Sequence, residues 1–191
     1  MKKMLTVLAA VAFLATAAFA QEEGSAPASN GGSGIAVTAE IGFSYYLEDT
    51  GDADALTLPV IGIKGMYELG NVKVGANPMG VGAYIGYNSL LSEDAFSMSI
   101  VPVLAMVELR PIEIPLFFDI GLGLGFWSSE VDMGPWGSVD ADGTAIAFMP
   151  RVGYAIPVAG FEVPVTVSYL WFNDDGSASD LNVTAGFTYK F

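Results

Sequence analysis

The sequence predicts an all-β fold, an eight-stranded antiparallel up-and-down transmembrane β-barrel. Three observations carry that expectation. First, residues 181–191 alternate without a break. Leu181, Val183, Ala185, Phe187, Tyr189 and Phe191 fall on one face, and Asn182, Thr184, Gly186, Thr188 and Lys190 on the other, the period of two that marks a β-strand. Second, similar alternation recurs in eight segments from Ile35 onward. Third, 52% of residues are hydrophobic, yet beyond the N-terminal segment no apolar run reaches the roughly 18–20 residues that a transmembrane helix needs. A strand with one apolar face, ending on an aromatic residue, needs an apolar partner. A bilayer supplies one, and the polar face then lines a lumen.

Residues 1–20 read as a secretory signal peptide. Lys2 and Lys3 form the basic region, an apolar run follows to Ala17, and Ala18-Phe19-Ala20 is an A-x-A cleavage site. With no Cys, neither a lipoprotein attachment nor a disulfide framework is available. Residues 21–34, QEEGSAPASNGGSG, lack periodicity and read as a flexible periplasmic lead-in. The barrel domain is expected over 35–191.

The expected strands are 35–47, 56–69, 79–87, 96–109, 112–127, 144–156, 161–172 and 181–191. The fourth is the least regular. Val101, Val103, Val107 and Leu109 share its outer face, but Ile100, Pro102, Leu104 and Met106 occupy the inner one, which a bulge or an apolar patch in the lumen would explain. Arg110-Pro111 reads as a tight turn, and 70–78 as a turn whose NVKVGA portion extends a flanking strand. Connections at 48–55, 88–95, 128–143 and 173–180 are expected on the outer side, and shorter turns at 70–78, 110–111 and 157–160 on the periplasmic side. Outward aromatics fall at both strand ends. Tyr45, Tyr87, Phe126 and Trp171 lie toward the outer side and Tyr67, Tyr154, Phe161 and Tyr189 toward the periplasm, as two interfacial girdles require.

The composition excludes several functions. There is no His and no Cys, so imidazole-based acyl-transfer chemistry and transition-metal sites have no ligands or base to build on. No catalytic residue, cofactor or metal is expected. With 21 acidic against 7 basic residues, nucleic acid is excluded as a partner. Gly121, Gly123 and Gly125 fall on alternate positions of one strand, making room for large neighbours in a narrow barrel rather than a phosphate cradle.

Glu40, Lys64, Tyr84, Asp119 and Arg151 all face inward by parity and are expected to form one charged layer. Neighbouring strands would place Glu40 beside Lys64 and Asp119 beside Arg151. Charges in a narrow lumen require mutual pairing. The layer reads either as a static plug or as a gate. Higher in the lumen, Tyr46, Trp127, Leu170 and Phe172 read as an apolar mouth for a hydrophobic ligand or as a cork. Glu48, Asp49, Asp52, Asp54, Glu93, Asp94, Glu130, Asp132, Asp140, Asp142, Asp174, Asp175 and Asp180 are expected in the outer loops. Lys190 is expected at the periplasmic rim near Glu162.

With its A-x-A signal, repeated strands, DIGLGLGFW at 119–127 and final VTAGFTYKF, the chain resembles the small eight-stranded outer-membrane proteins, the group of the OmpA transmembrane domain, OmpX and OmpW-like proteins. The resemblance implies an integral, multi-pass protein of the bacterial outer membrane. It also implies that Phe187, Tyr189 and Phe191 form the C-terminal signal read by the barrel assembly machinery. The expected function is a non-enzymatic structural or surface-interaction role, with outer-membrane lipid and lipopolysaccharide as partners of a monomer. The alternative is a porin-like narrow channel or carrier for small, hydrophobic solutes. The rival fold, a soluble lipocalin-like barrel, would turn the apolar face inward and Lys64, Asp119 and Arg151 outward.

Overall fold

A computed structural model of the chain describes residues 34–47, 56–93, 96–173 and 177–191. The signal peptide at 1–20, nearly all of the lead-in at 21–34 and the acidic connection at 48–55 lie outside the described residues. Eight antiparallel strands close into a ring in chain order, β1 (Ile35–Tyr46), β2 (Leu56–Val74), β3 (Asn77–Glu93), β4 (Phe96–Leu109), β5 (Leu116–Asp132), β6 (Ser138–Val158), β7 (Phe161–Asn173) and β8 (Ser177–Lys190). Closure runs from Ala36↔Lys190 to Tyr46↔Asp180 and is extended by Phe191 N–H donating to the Ile35 carbonyl at 2.9 Å. No strand edge is left open along that seam.

Apolar side chains point outward along every strand. Ile41, Ile120, Leu122 and Ile146 are exposed, while Lys64, Asp119, Arg151 and Glu40 are buried in the lumen. This inverts a soluble barrel and removes the lipocalin-like alternative. The core therefore sits inside the ring, between polar and apolar layers.

Strand boundaries depart from the sequence expectation in three places. The fifth strand begins at Leu116 rather than at 112, and 112–115 form a bent connection. Pro111 and Pro115 each lack the N–H that a ladder requires, and Ile112, Glu113 and Ile114 are left exposed. The second strand runs past 69 to Val74, so NVKV extends β2 as expected of it, and only the turn narrows from 70–78 to Gly75-Ala76, with Gly75 at φ +63°. At the opposite end of the barrel, much of the sequence expected as loop is strand. β3 continues to Glu93, β8 starts at Ser177, and β5 and β6 stay paired from Leu116↔Tyr154 to Asp132↔Ser138. Gly134–Trp136 form a 3-10 turn at the tip of that tall hairpin. Water satisfies a protruding polar hairpin on both faces, so it needs no apolar alternation and leaves little periodic signal.

β4 pairs with β5 without a register shift. Its irregular pattern is thus an apolar patch in the lumen rather than a bulge, and the bulge of its other ladder lies between Ser89 and Leu91 on β3.

Candidate functional site: the barrel lumen

The end that carries Gly34 and Phe191 is the short-turn end. Four groups of inward side chains fill the lumen from there.

At the rim, Lys190 Nζ donates to Glu162 Oε1 at 2.6 Å, and Arg110 Nη1 donates to Glu162 Oε2 at 2.9 Å. Arg110 Nε also donates to Glu108 Oε1 at 2.5 Å. Arg110 lies just past the end of β4. Burial alone would lower its guanidinium, but Glu108 and Glu162 outweigh that and hold it above its ordinary value. A cavity of about 50 Å³ opens here, lined in part by Met66, Glu108, Arg110 and Lys190, with room for a few waters.

The charged layer follows. All five residues expected there face inward, and each is 6% exposed or less. Of the expected neighbour pairs, Asp119 beside Arg151 is present as register partners, whereas Glu40 beside Lys64 is not, and the shortest bonds reach other strands. Lys64 Nζ donates to Glu108 Oε2 at 2.7 Å and to Asp119 Oδ2 at 2.8 Å. Arg151 Nη2 donates to Glu40 Oε2 at 2.6 Å, while its Nε lies 3.8 Å from Asp119 Oδ2. Glu40 is registered against Gly62 and Lys64 against Thr38, so the β1–β2 ladder does not place Glu40 directly beside Lys64. Long side chains reach toward the barrel axis, where opposite charges alternate, instead of bonding along the ladder. Arg151 lies over the Tyr84 ring, 5.0 Å from its centroid, and Lys64 over Phe117 at 4.5 Å, adding cation–π attraction at desolvated cations.

Glycines make this layer possible. A Cβ on Gly62 or Gly86 would meet the Tyr84 ring, and one on Gly153 the Phe117 ring. Gly121 gives space to Met106 and Leu104, and Gly125 to Ile100.

A small polar cluster comes next. Ser44 Oγ donates to Asp180 Oδ2 at 2.6 Å and Asn88 Nδ2 to the same oxygen at 3.1 Å. Asp180 was expected in an outer loop. It instead lies inside β8 with none of its surface exposed, because β8 begins four residues before 181.

An apolar cluster runs alongside these groups, from Met66 at the rim cavity through Tyr84 to Phe172. Tyr46, Leu90, Ile100, Leu104, Met106, Met149, Leu170 and Phe172 pack as one cluster, with Trp127 against it. Tyr46, Leu170 and Phe172 belong to that buried cluster, and Trp127 packs against it partly buried. Outside the barrel, Phe187, Tyr189 and Phe191 point away from the lumen. Tyr189 and Phe191 meet edge to face at 4.8 Å, and Phe161 packs against Phe187 at 4.7 Å.

Two members of the charged zones escape the sequence expectation. Glu108 shares the parity of Ile100 through Met106 and was findable by continuing that count. Arg110 sits in what reads as a turn, and only the bend at 110–115 brings it back over the lumen.

The family model described as outer membrane protein beta-barrel domain matches residues 6–191. No curated protein sequence matches the chain. Among solved structures, the chain is similar to Ail, the attachment invasion locus protein of Yersinia pestis, in complex with the heparin analogue sucrose octasulfate. The two are 15% identical with a TM-score of 0.57, covering 83% of this chain and 99% of that one. It is similar to Neisserial surface protein A at 13% identity and TM-score 0.55, covering 82% and 97%. The N-terminal β-barrel domain of Pseudomonas aeruginosa OprF aligns at 10% identity and TM-score 0.52, covering 83% and 100%. At these identities the likeness is one of fold.

Proposed function

Because the chain belongs to the outer-membrane protein β-barrel domain family, we propose that this outer-membrane barrel is non-enzymatic and acts through its exterior, as a structural or surface-interaction protein, rather than by moving solutes through its lumen. The observation that carries this reading is the filled lumen. An ion-paired layer and a packed apolar cluster together occupy the inside of the ring.

The orientation follows from the same reading. The short-turn end faces the periplasm, and the β5–β6 hairpin stands outside the cell. That hairpin exposes Glu130, Asp132, Asp140 and Asp142, and Trp136 at its tip is 87% exposed. Its carboxylates suit a cationic surface and disfavour a sulfated one such as the heparin analogue that accompanies Ail. The names of Ail and Neisserial surface protein A support an outward-facing role. The outer ring of apolar side chains meets lipid and the acyl chains of lipopolysaccharide around a monomer. Phe187, Tyr189 and Phe191 form the signal for the barrel assembly machinery.

Planar-bilayer recording of the refolded barrel tests the proposal. The expected trace stays at the bare-membrane level. Stable unitary conductance steps would replace this reading with the narrow-channel one.

A further inference from the structure

Among the described residues, each buried carboxylate of the lumen is bonded to a cation except Asp180. The rim and the charged layer hold four cations, Lys64, Arg110, Arg151 and Lys190, bonded to four carboxylates, Glu40, Glu108, Asp119 and Glu162. Asp180 is outside that exchange. Its bonding partners, Ser44 and Asn88, are neutral, and it is fully buried. A buried carboxylate without a countercharge is strongly disfavoured.

The oxygens around it point to what fills the deficit. Asp180 Oδ1, Asn88 Oδ1 and Asn182 Oδ1 are each buried without a hydrogen-bond partner, and Asn88 and Asn182 are 1% and 2% exposed. They belong together. Asn88 is tied to Asp180 by its amide nitrogen, which also fixes which way its oxygen points. Asn182 lies two positions along the same face of β8, and its register partner on β1 is Ser44, the hydroxyl already bonded to Asp180. Three strands, β1, β3 and β8, thus bring one carboxylate, two amide oxygens and one hydroxyl to one region of the lumen.

We propose that this cluster binds one small monovalent hard cation of the sodium class. Oxygen-only donors select hard cations, and a single uncompensated negative charge is neutralised by one positive charge. A water molecule would satisfy oxygens but leave the charge. A proton on Asp180 would remove the charge, yet its one O–H can serve only one of the two asparagine oxygens. A cation answers both needs. It also ties β3 to the β1–β8 closing pair, so that it acts as a staple at the closing seam.

The test uses the mature barrel refolded in zwitterionic micelles. Urea unfolding is followed by tryptophan fluorescence at constant ionic strength and pH 8, with sodium chloride replaced stepwise by choline chloride, whose cation is too large for the site. The expected result is that, above half-saturation, each tenfold rise in sodium lowers the unfolding equilibrium constant tenfold, as one bound ion requires. Asp180→Asn should remove the sodium dependence, and Asn182→Ala should shift it to sodium concentrations at least about tenfold higher by loss of one ligand. Identical wild-type curves in sodium and choline would overturn the proposal, whatever the variants do. A sodium dependence unchanged in Asp180→Asn would place the ion elsewhere. Stabilisation of the wild type by acid but not by sodium, lost in Asp180→Asn, would make the ligand a proton.

Discussion

Asp119 and Arg151 are register partners on adjacent strands, yet each makes its short ion pair elsewhere. Arg151 reaches Glu40 on β1 at 2.6 Å, Asp119 takes Lys64 from β2 at 2.8 Å, and the two neighbours stay 3.8 Å apart at their closest paired atoms. Ladder neighbours are already held by backbone bonds. Bonds across the axis brace strands that share no ladder, β1 to β6 and β2 to β4 and β5.

Arg151→Ala should therefore cost about 3–5 kcal/mol, the range for leaving a buried charge unpaired. Urea unfolding of the refolded barrel measures it. Combining Arg151→Met with Glu40→Gln should recover part of the loss, since neither charge is then stranded. An unchanged midpoint in the single variant would count against bracing.

Gly153 lies under the Phe117 ring, where an added Cβ has no space. Gly153→Val should prevent formation of the compact barrel, read as loss of the heat-modifiable band on a gel. Adding Phe117→Ala should restore folding in part. Normal migration of Gly153→Val alone would show that the ring yields more readily than the packing implies.

The three tryptophans sit in three environments. Trp136 tips the tall hairpin, Trp171 is half-buried on the outer face, and Trp127 packs against the apolar cluster. In single-tryptophan variants, iodide should quench Trp136 most, brominated lipid should quench Trp171 most, and Trp127 should respond least to both. Quenching of Trp127 by iodide as strong as that of Trp136 would mean a water-filled upper lumen.

Phe191 bonds to the Ile35 carbonyl through its N–H and meets the Tyr189 ring, and its deletion tests a role in assembly. The yield of inserted barrel in cells should fall several-fold while the unfolding midpoint of barrels refolded in vitro moves little. Equal losses in both would deny the residue a role in assembly.

Most strands were legible because lipid on one side and a packed lumen on the other impose alternation at every residue. Parity alone carried Glu40, Lys64, Tyr84, Asp119 and Arg151 to the inside. It carries a side chain's face, however, and not its reach, so Lys64 was matched to Glu40 instead of to Glu108 and Asp119, while Arg151 lies beside Asp119 as expected but reaches on to Glu40. Asp180 was misplaced for a different reason. Its neighbours, NDDGSAS, have the composition of a turn, and pairing of Asp180 with Tyr46 on β1 and Leu170 on β7 draws Ser177 to Asp180 into β8. The tall β5–β6 hairpin escaped notice because water asks nothing of its faces, and Pro111 and Pro115 shortened a strand that alternation alone would have carried through them.

The unbroken β1–β8 ladder has one more consequence. A ring has no first strand, so chain order and barrel geometry are separable. A circular permutant opened at Ala159-Gly160, where Gly160 takes φ +86°, and joined from Phe191 to Gly34 by a short linker, would keep every rung while burying the aromatic terminus in mid-sequence. A heat-modifiable band from such a chain after refolding would show that the ring closes wherever its order is opened.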